Sequence, residues 1–76
     1  MKAFVEYIIK ALVNHPDQIL ISTMDGKSTV ILEVRCHEED MGRVIGKNGK
    51  TIGAVRMLVS SLAAKQKRKA VLEIVE

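Results

Sequence analysis

One segment of this chain fits few folds: Val44-Ile45-Gly46-Lys47-Asn48-Gly49-Lys50-Thr51-Ile52, two glycines three apart, flanked by aliphatic residues and studded with lysines. Glycines at that spacing let the main chain turn sharply and leave no side chain over it. The residues after Gly49 have helical character. The segment is therefore expected to be a tight connection opening on a helix N-terminus, with free N–H groups and the positive end of a helix dipole facing outward. Lys47 and Lys50 add full positive charge. Such a surface suits an anionic sugar–phosphate strand.

Periodicity supplies the elements around it. Between residues 2 and 14, Phe4, Ile8 and Leu12 form one apolar row and Val5, Ile9 and Val13 the next, with Tyr7 and Ala11 alongside; this predicts a helix. His15-Pro16-Asp17 stops it. The apolar rows wrap over more than half of that helix, wider than one sheet face can hide, so part of it is expected to meet a partner. Ile19–Met24 and Ser28–Cys36 read as strands joined at Asp25-Gly26, a tight turn of the kind that suits positive φ. Val30, Leu32, Val34 and Cys36 fall on one face of the second strand, and Ile31, Glu33 and Arg35 on the other.

Glu38-Glu39-Asp40 then place negative charge at the start of a short helix that runs into Ile45, where Gly46 can end it. After the Gly46–Gly49 loop, a longer helix spans Lys50 to Lys65. Ile52, Val55, Val59, Leu62 and Ala63 lie on its expected buried stripe, with Arg56 and Ser60 at one margin. Ala70–Val75 is the last strand, Leu72 and Ile74 sharing a face. The order helix, strand, strand, helix, helix, strand implies an α+β layer, a three-stranded sheet with three helices packed on one face.

A chain of 76 residues is one domain, 1–76, with one small core. Domains of that size lean on disulfides, metals or oligomerisation. One cysteine and no ligand cluster leave the first two aside, so no cofactor and no metal site is expected and association stays open. Glu6 and Lys10 interrupt the apolar N-terminal pattern, so no membrane span or leader is expected and the cytoplasm is the expected location. The net charge of +3 is modest, but it is unevenly divided. Residues 1–41 carry four basic and seven acidic side chains; residues 42–76 carry eight basic and two acidic, Glu73 and Glu76. The cations sit in the half that holds the glycine loop, as an electrostatic footprint for phosphates would. Lys65-Gln66-Lys67-Arg68-Lys69 also suits a helix C-terminus, where cations are favoured in any case.

Other motifs carry less. Gly49-Lys50-Thr51 ends like a nucleotide-binding P-loop, but the leading glycine of that motif would fall at Val44. Cys36-His37 could be a nucleophile and base or two metal ligands, yet neighbouring strand residues point to opposite faces and no third partner is evident. A core cysteine followed by a helix-start histidine fits better. His15 is assigned to the turn before Pro16, and Glu38, Glu39 and Asp40 to helix-start charge rather than acid–base chemistry.

The nine-residue glycine block resembles the signature of the KH domain, in which a Gly-x-x-Gly loop joins two helices and holds about four single-stranded nucleotides. The order of elements resembles the type II, bacterial variant. Over the whole chain the Asn14-His15-Pro16-Asp17 turn and the Asp40-x-Gly42-Arg43-Val44-Ile45-Gly46-Lys47-x-Gly49 block resemble the KhpA family of small single-KH proteins. That resemblance implies a cytoplasmic RNA-binding protein, an RNA chaperone or post-transcriptional regulator linked to cell shape, not an enzyme. It implies single-stranded RNA as ligand and, as protein partner, a second copy or a second KH-containing protein.

In the type II variant the connection between the second core helix and the last strand borders the groove. The implied RNA-binding set is therefore Arg43, Val44, Ile45, Gly46, Lys47, Asn48, Gly49, Lys50 and Thr51 with Lys65, Lys67, Arg68 and Lys69. Phosphates would be held by loop amides and lysines. Bases would turn toward an apolar floor of Val44, Ile45 and Ile52, unless Ile45 and Ile52 simply seal the core. With two aromatic residues in the chain, stacking is scarce and selectivity should be low. Two further readings stand beside this one: an interaction module using the apolar first helix, and a ribosome-associated factor.

Overall fold

The alternation in the central strand decides which side of the sheet is covered. In the computed structural model, which describes residues 1–75, β1 (Leu20–Asp25) pairs antiparallel with β2 (Thr29–Arg35), and β3 (Lys69–Val75) lies parallel to β2 on its other side. Val30, Leu32 and Val34 of β2 are buried, with Ile21 in register opposite Val34 and Leu72 opposite Leu32. Ile31, Glu33 and Arg35 face the other way. Three helices cover the buried face: α1 (Lys2–Leu12) through Val5 and Ile9, α2 (Met41–Ile45) through Val44, and α3 (Lys50–Lys65) through Ile52, Val55, Val59 and Ala63. Each such buried aliphatic stabilises by about 1.5–3 kcal/mol relative to exposure. The element order and the mixed sheet are those of the type II KH fold.

Several local expectations are corrected by packing. The first helix stops at Leu12 rather than residue 14, because Val13 is extended and the N–H groups of Asn14 and His15 are taken elsewhere. The Asp25–Gly26 turn has no positive φ at glycine; Gly26 N–H donates to the Thr29 carbonyl at 2.8 Å and the connection is three residues long. Leu62, placed on the buried stripe of α3 by its spacing, is 38% exposed. Glu38–Asp40 form a 3₁₀ turn ahead of α2, with His37 at its start accepting the Glu39 N–H on Nδ1 at 3.1 Å. Helix α3 ends where Lys67 takes φ 57°, and the Lys67 and Arg68 N–H groups return to the carbonyls of Ala64 and Ala63. That closure usually uses glycine.

Asp40 stands at the start of α2, as expected, but its carboxylate does not cap that helix. It is fully buried, and its carboxylate accepts the Asn14 N–H at 3.0 Å and the His15 N–H at 2.9 Å. The chain after α1 is thereby fastened to the root of α2. Burial pushes the Asp40 carboxyl upward, but the two N–H bonds, with smaller help from the nearby histidines, outweigh it and hold the group below its ordinary value. A depressed carboxyl stabilises the fold above its unfolded pKa, and that contribution is lost as pH falls through the folded value. Asp40→Asn should lower the melting temperature at neutral pH well beyond the exposed control Asp17→Asn. It should also flatten the acid limb of stability below about pH 4, as read by thermal melts across pH.

Candidate nucleic-acid interface

The glycine loop gets its shape from three left-handed residues in close succession. Gly46 has φ 78° and ψ 171°, Asn48 φ 56° and Gly49 φ 72°. The first of these conformations is essentially restricted to glycine. A Cβ on Gly46 would also collide with the Thr51 side chain and lie 2.8 Å from the Thr51 backbone nitrogen, whereas one on Gly49 would meet nothing within 4 Å. Gly46 is thus required twice over, by φ and by contact. Gly49 is required by φ alone. Thr51 serves the loop's own packing.

Below the loop, α3 begins at Lys50 with no side-chain cap; the Lys50 N–H donates to the Lys47 carbonyl and the Gly49 N–H to the Gly46 carbonyl, so the loop closes on itself ahead of the helix. Lys47, Asn48 and Lys50 are exposed around that opening. The remaining expected contacts divide. Val44 has no exposure and Ile52 only 4%, so both belong to the core, while Ile45 is 36% exposed and is the one floor residue that reaches the surface. Arg43 is exposed but turns toward the first helix's exit: with its oxygen facing Arg43, the Asn14 amide accepts from Nη2 and Nε at 3.3 Å.

The second basic cluster sits at the far end of the same helix. Sixteen residues of α3 at about 1.5 Å each put roughly 24 Å between Lys50 and Lys65. Lys65 and Lys67 are exposed there, and Lys69 is the exposed first residue of β3. Arg68 is committed elsewhere. Its guanidinium pairs with the Asp25 carboxylate and donates to the Gly26 carbonyl at 2.8 Å, clasping the β1–β2 connection, and its Nε is buried without a partner.

A groove lies between these two basic ends. It is a shallow cavity of about 190 Å³ lined by Arg56, Val59, Ser60, Ala70, Val71 and Leu72, where α3 runs along β3. Arg56 reaches across it, donating from Nε to the Leu72 carbonyl at 3.1 Å. The sequence placed Arg56 and Ser60 at the margin of the helix but held no sign that this margin faces a strand. A second depression of about 460 Å³ opens beside α2, lined by Cys36, Glu38, Met41 and Ile45. Cys36 Sγ lies 3.3 Å from Met41 Sδ, and burial, then the Asp40 charge, push its thiol above the ordinary value. A thiol held protonated is the opposite of what a nucleophile needs.

Comparison with known proteins adds a family. The KH-domain family described as KhpA/KhpB matches residues 2–74. The RNA-binding protein KhpA of Halalkalibacterium halodurans is 45% identical over 76 residues, covering 100% of both chains. Those of Clostridium acetobutylicum and Chlamydia trachomatis are 40% and 41% identical, covering 99% and 100% of this chain and 100% and 97% of their own. No solved structure gives a significant match.

The two glycines should respond differently to the same change. Gly49→Ala is expected to cost about 1–2 kcal/mol, the ordinary cost of a left-handed alanine. Gly46→Ala adds a backbone clash to a glycine-only conformation and should cost about 3 kcal/mol or more. Denaturant unfolding of both variants checks the order.

Proposed function

The chain belongs to the KhpA/KhpB KH-domain family, and from that membership we propose that it binds single-stranded RNA, holding about four nucleotides at the Gly46–Gly49 loop. The relatives are named for RNA binding. The observation that carries the proposal for this chain is the left-handed run at Gly46, Asn48 and Gly49 opening on an uncapped helix with Lys47 and Lys50 exposed beside it. Phosphates would lie against the loop amides and those two lysines, giving affinity without sequence reading. Bases would continue along the α3–β3 groove past Arg56 and Ser60 toward Lys65, Lys67 and Lys69. Ile45 would touch the first of them.

No aromatic side chain lines that route, so each base gains little from stacking and binding is weak and tolerant of sequence. Weak, tolerant contact with single strands is what an RNA chaperone or post-transcriptional regulator in the cytoplasm requires, and this is the role assigned here. In binding titrations against a short single-stranded RNA, affinity should fall with salt, log K dropping by about 0.7 per phosphate neutralised. The variant Lys47→Asp with Asn48→Asp should remain folded and lose at least about tenfold in affinity with a flatter slope. Equal binding by parent and variant would sink the loop-centred reading.

One observation also favours association with a second KH-containing chain, through α3 rather than through the first helix alone. Met57 is 72%, Leu58 50% and Leu62 38% exposed, three apolar side chains on the outer and flanking surface of α3. On α1, Tyr7 and Phe4 are exposed at 77% and 37%. Leu58→Lys should shift the chain toward monomer in sedimentation analysis and leave its melting curve at low concentration nearly unchanged. Tyr7→Lys should leave the association state as it was.

A further inference from the structure

Two histidines far apart in sequence meet at the root of α2. His15, in the connection after α1, and His37, just after β2, stack their rings with centroids 4.3 Å apart and planes at 28°. Glu39 completes the group, its Oε2 3.5 Å from Nε2 of His15. One donor atom from each of the three lies within 4.8 Å of the others. The geometry points to a divalent transition-metal site formed by His15, His37 and Glu39, for an ion of the class that includes Zn²⁺.

The donor set argues for that class of ion. Two imidazoles and one carboxylate suit zinc and its neighbours, whereas calcium and magnesium prefer oxygen ligands throughout. Three protein ligands leave one tetrahedral position for water, and Glu39, largely exposed, stands on the open side. As a lone ion pair, His15 with an exposed Glu39 contributes little. The second imidazole, stacked on the first, must turn about its Cβ–Cγ bond for nitrogens of both rings to face one ion.

The site is also held from beneath. Asp40 grips the backbone N–H of His15 at 2.9 Å, and Glu39 precedes Asp40 in the same 3₁₀ turn, so two of the three ligands are positioned by one buried carboxylate. His37 would change on loading: its Nδ1 now accepts the Glu39 N–H at 3.1 Å, which puts the proton of the neutral ring on Nε2. Binding frees a ring nitrogen by giving up that exposed hydrogen bond. Cys36 stays outside the set, its sulfur turned to Met41 at 3.3 Å. A bound ion would tie the α1–β1 connection to the start of α2 on the surface, directly above the Asp40 fastening.

The experiment uses the full chain stripped with a chelator, titrated with ZnCl₂ by calorimetry and melted with and without equimolar zinc. One ion per chain is expected, with a raised melting temperature that excess chelator reverses. His15→Gln and Glu39→Gln should each weaken zinc binding at least about tenfold, while Cys36→Ser binds as the parent does. Metal-free melts establish that the variants fold; if His15→Gln does not, Glu39→Gln decides, since its side chain is largely exposed. Absence of stoichiometric binding in the parent overturns the proposal. So does undiminished binding in the folded variants, or binding abolished by Cys36→Ser.

Discussion

The Asp40 carboxylate is the fastening on which the arrangement of the other parts rests. A charge with no exposure is costly unless it is paired and hydrogen-bonded. Two backbone N–H groups from the end of the first helix meet that need, and in doing so they set where that helix stops and where α2 starts. Everything downstream inherits the position: α2 is only five residues long, so its far end, where Gly46 turns the chain, cannot wander relative to its root. The glycine loop and the start of α3 are therefore placed by a contact on the other side of a short helix.

The cations divide between holding the fold and facing solvent. Arg68 is drawn into a clasp over the β1–β2 connection, Arg56 into the edge of β3, and Arg43 toward Asn14. These three of the chain's four arginines are held by hydrogen bonds, whereas Lys47 and Lys50 at the loop and Lys65, Lys67 and Lys69 at the far end of α3 are exposed. A compact, mobile ammonium suits loose contact with phosphates, and Arg56, already engaged, forms part of the groove's wall.

Much of this could be read from the chain. The strict alternation of Val30, Leu32 and Val34, the span of α3 from Lys50 to Lys65 and the glycine pair all matched the fold, because each is governed by constraints acting within a few residues. The misses share a cause. Leu62 has the spacing of a core residue but stays partly exposed, and Val44 has the look of a groove lining but is fully buried. Gly26 takes no positive φ, since the three-residue connection closes without it. In each case the side of an element that meets another was settled by the neighbour.

The sequence by itself determined the order of the elements, the glycine loop between two helices and the concentration of positive charge in the second half. These follow from periodicity, backbone sterics and counting. Only the tertiary structure decided that Asp40 would close on residues 25 and 26 positions earlier, that His15, His37 and Glu39 would meet, and that Arg68 would be spent on Asp25, 43 positions away. Local preferences reach across one turn of helix or one pair of strands. Contacts over such separations exist only once the core has packed and brought the segments together.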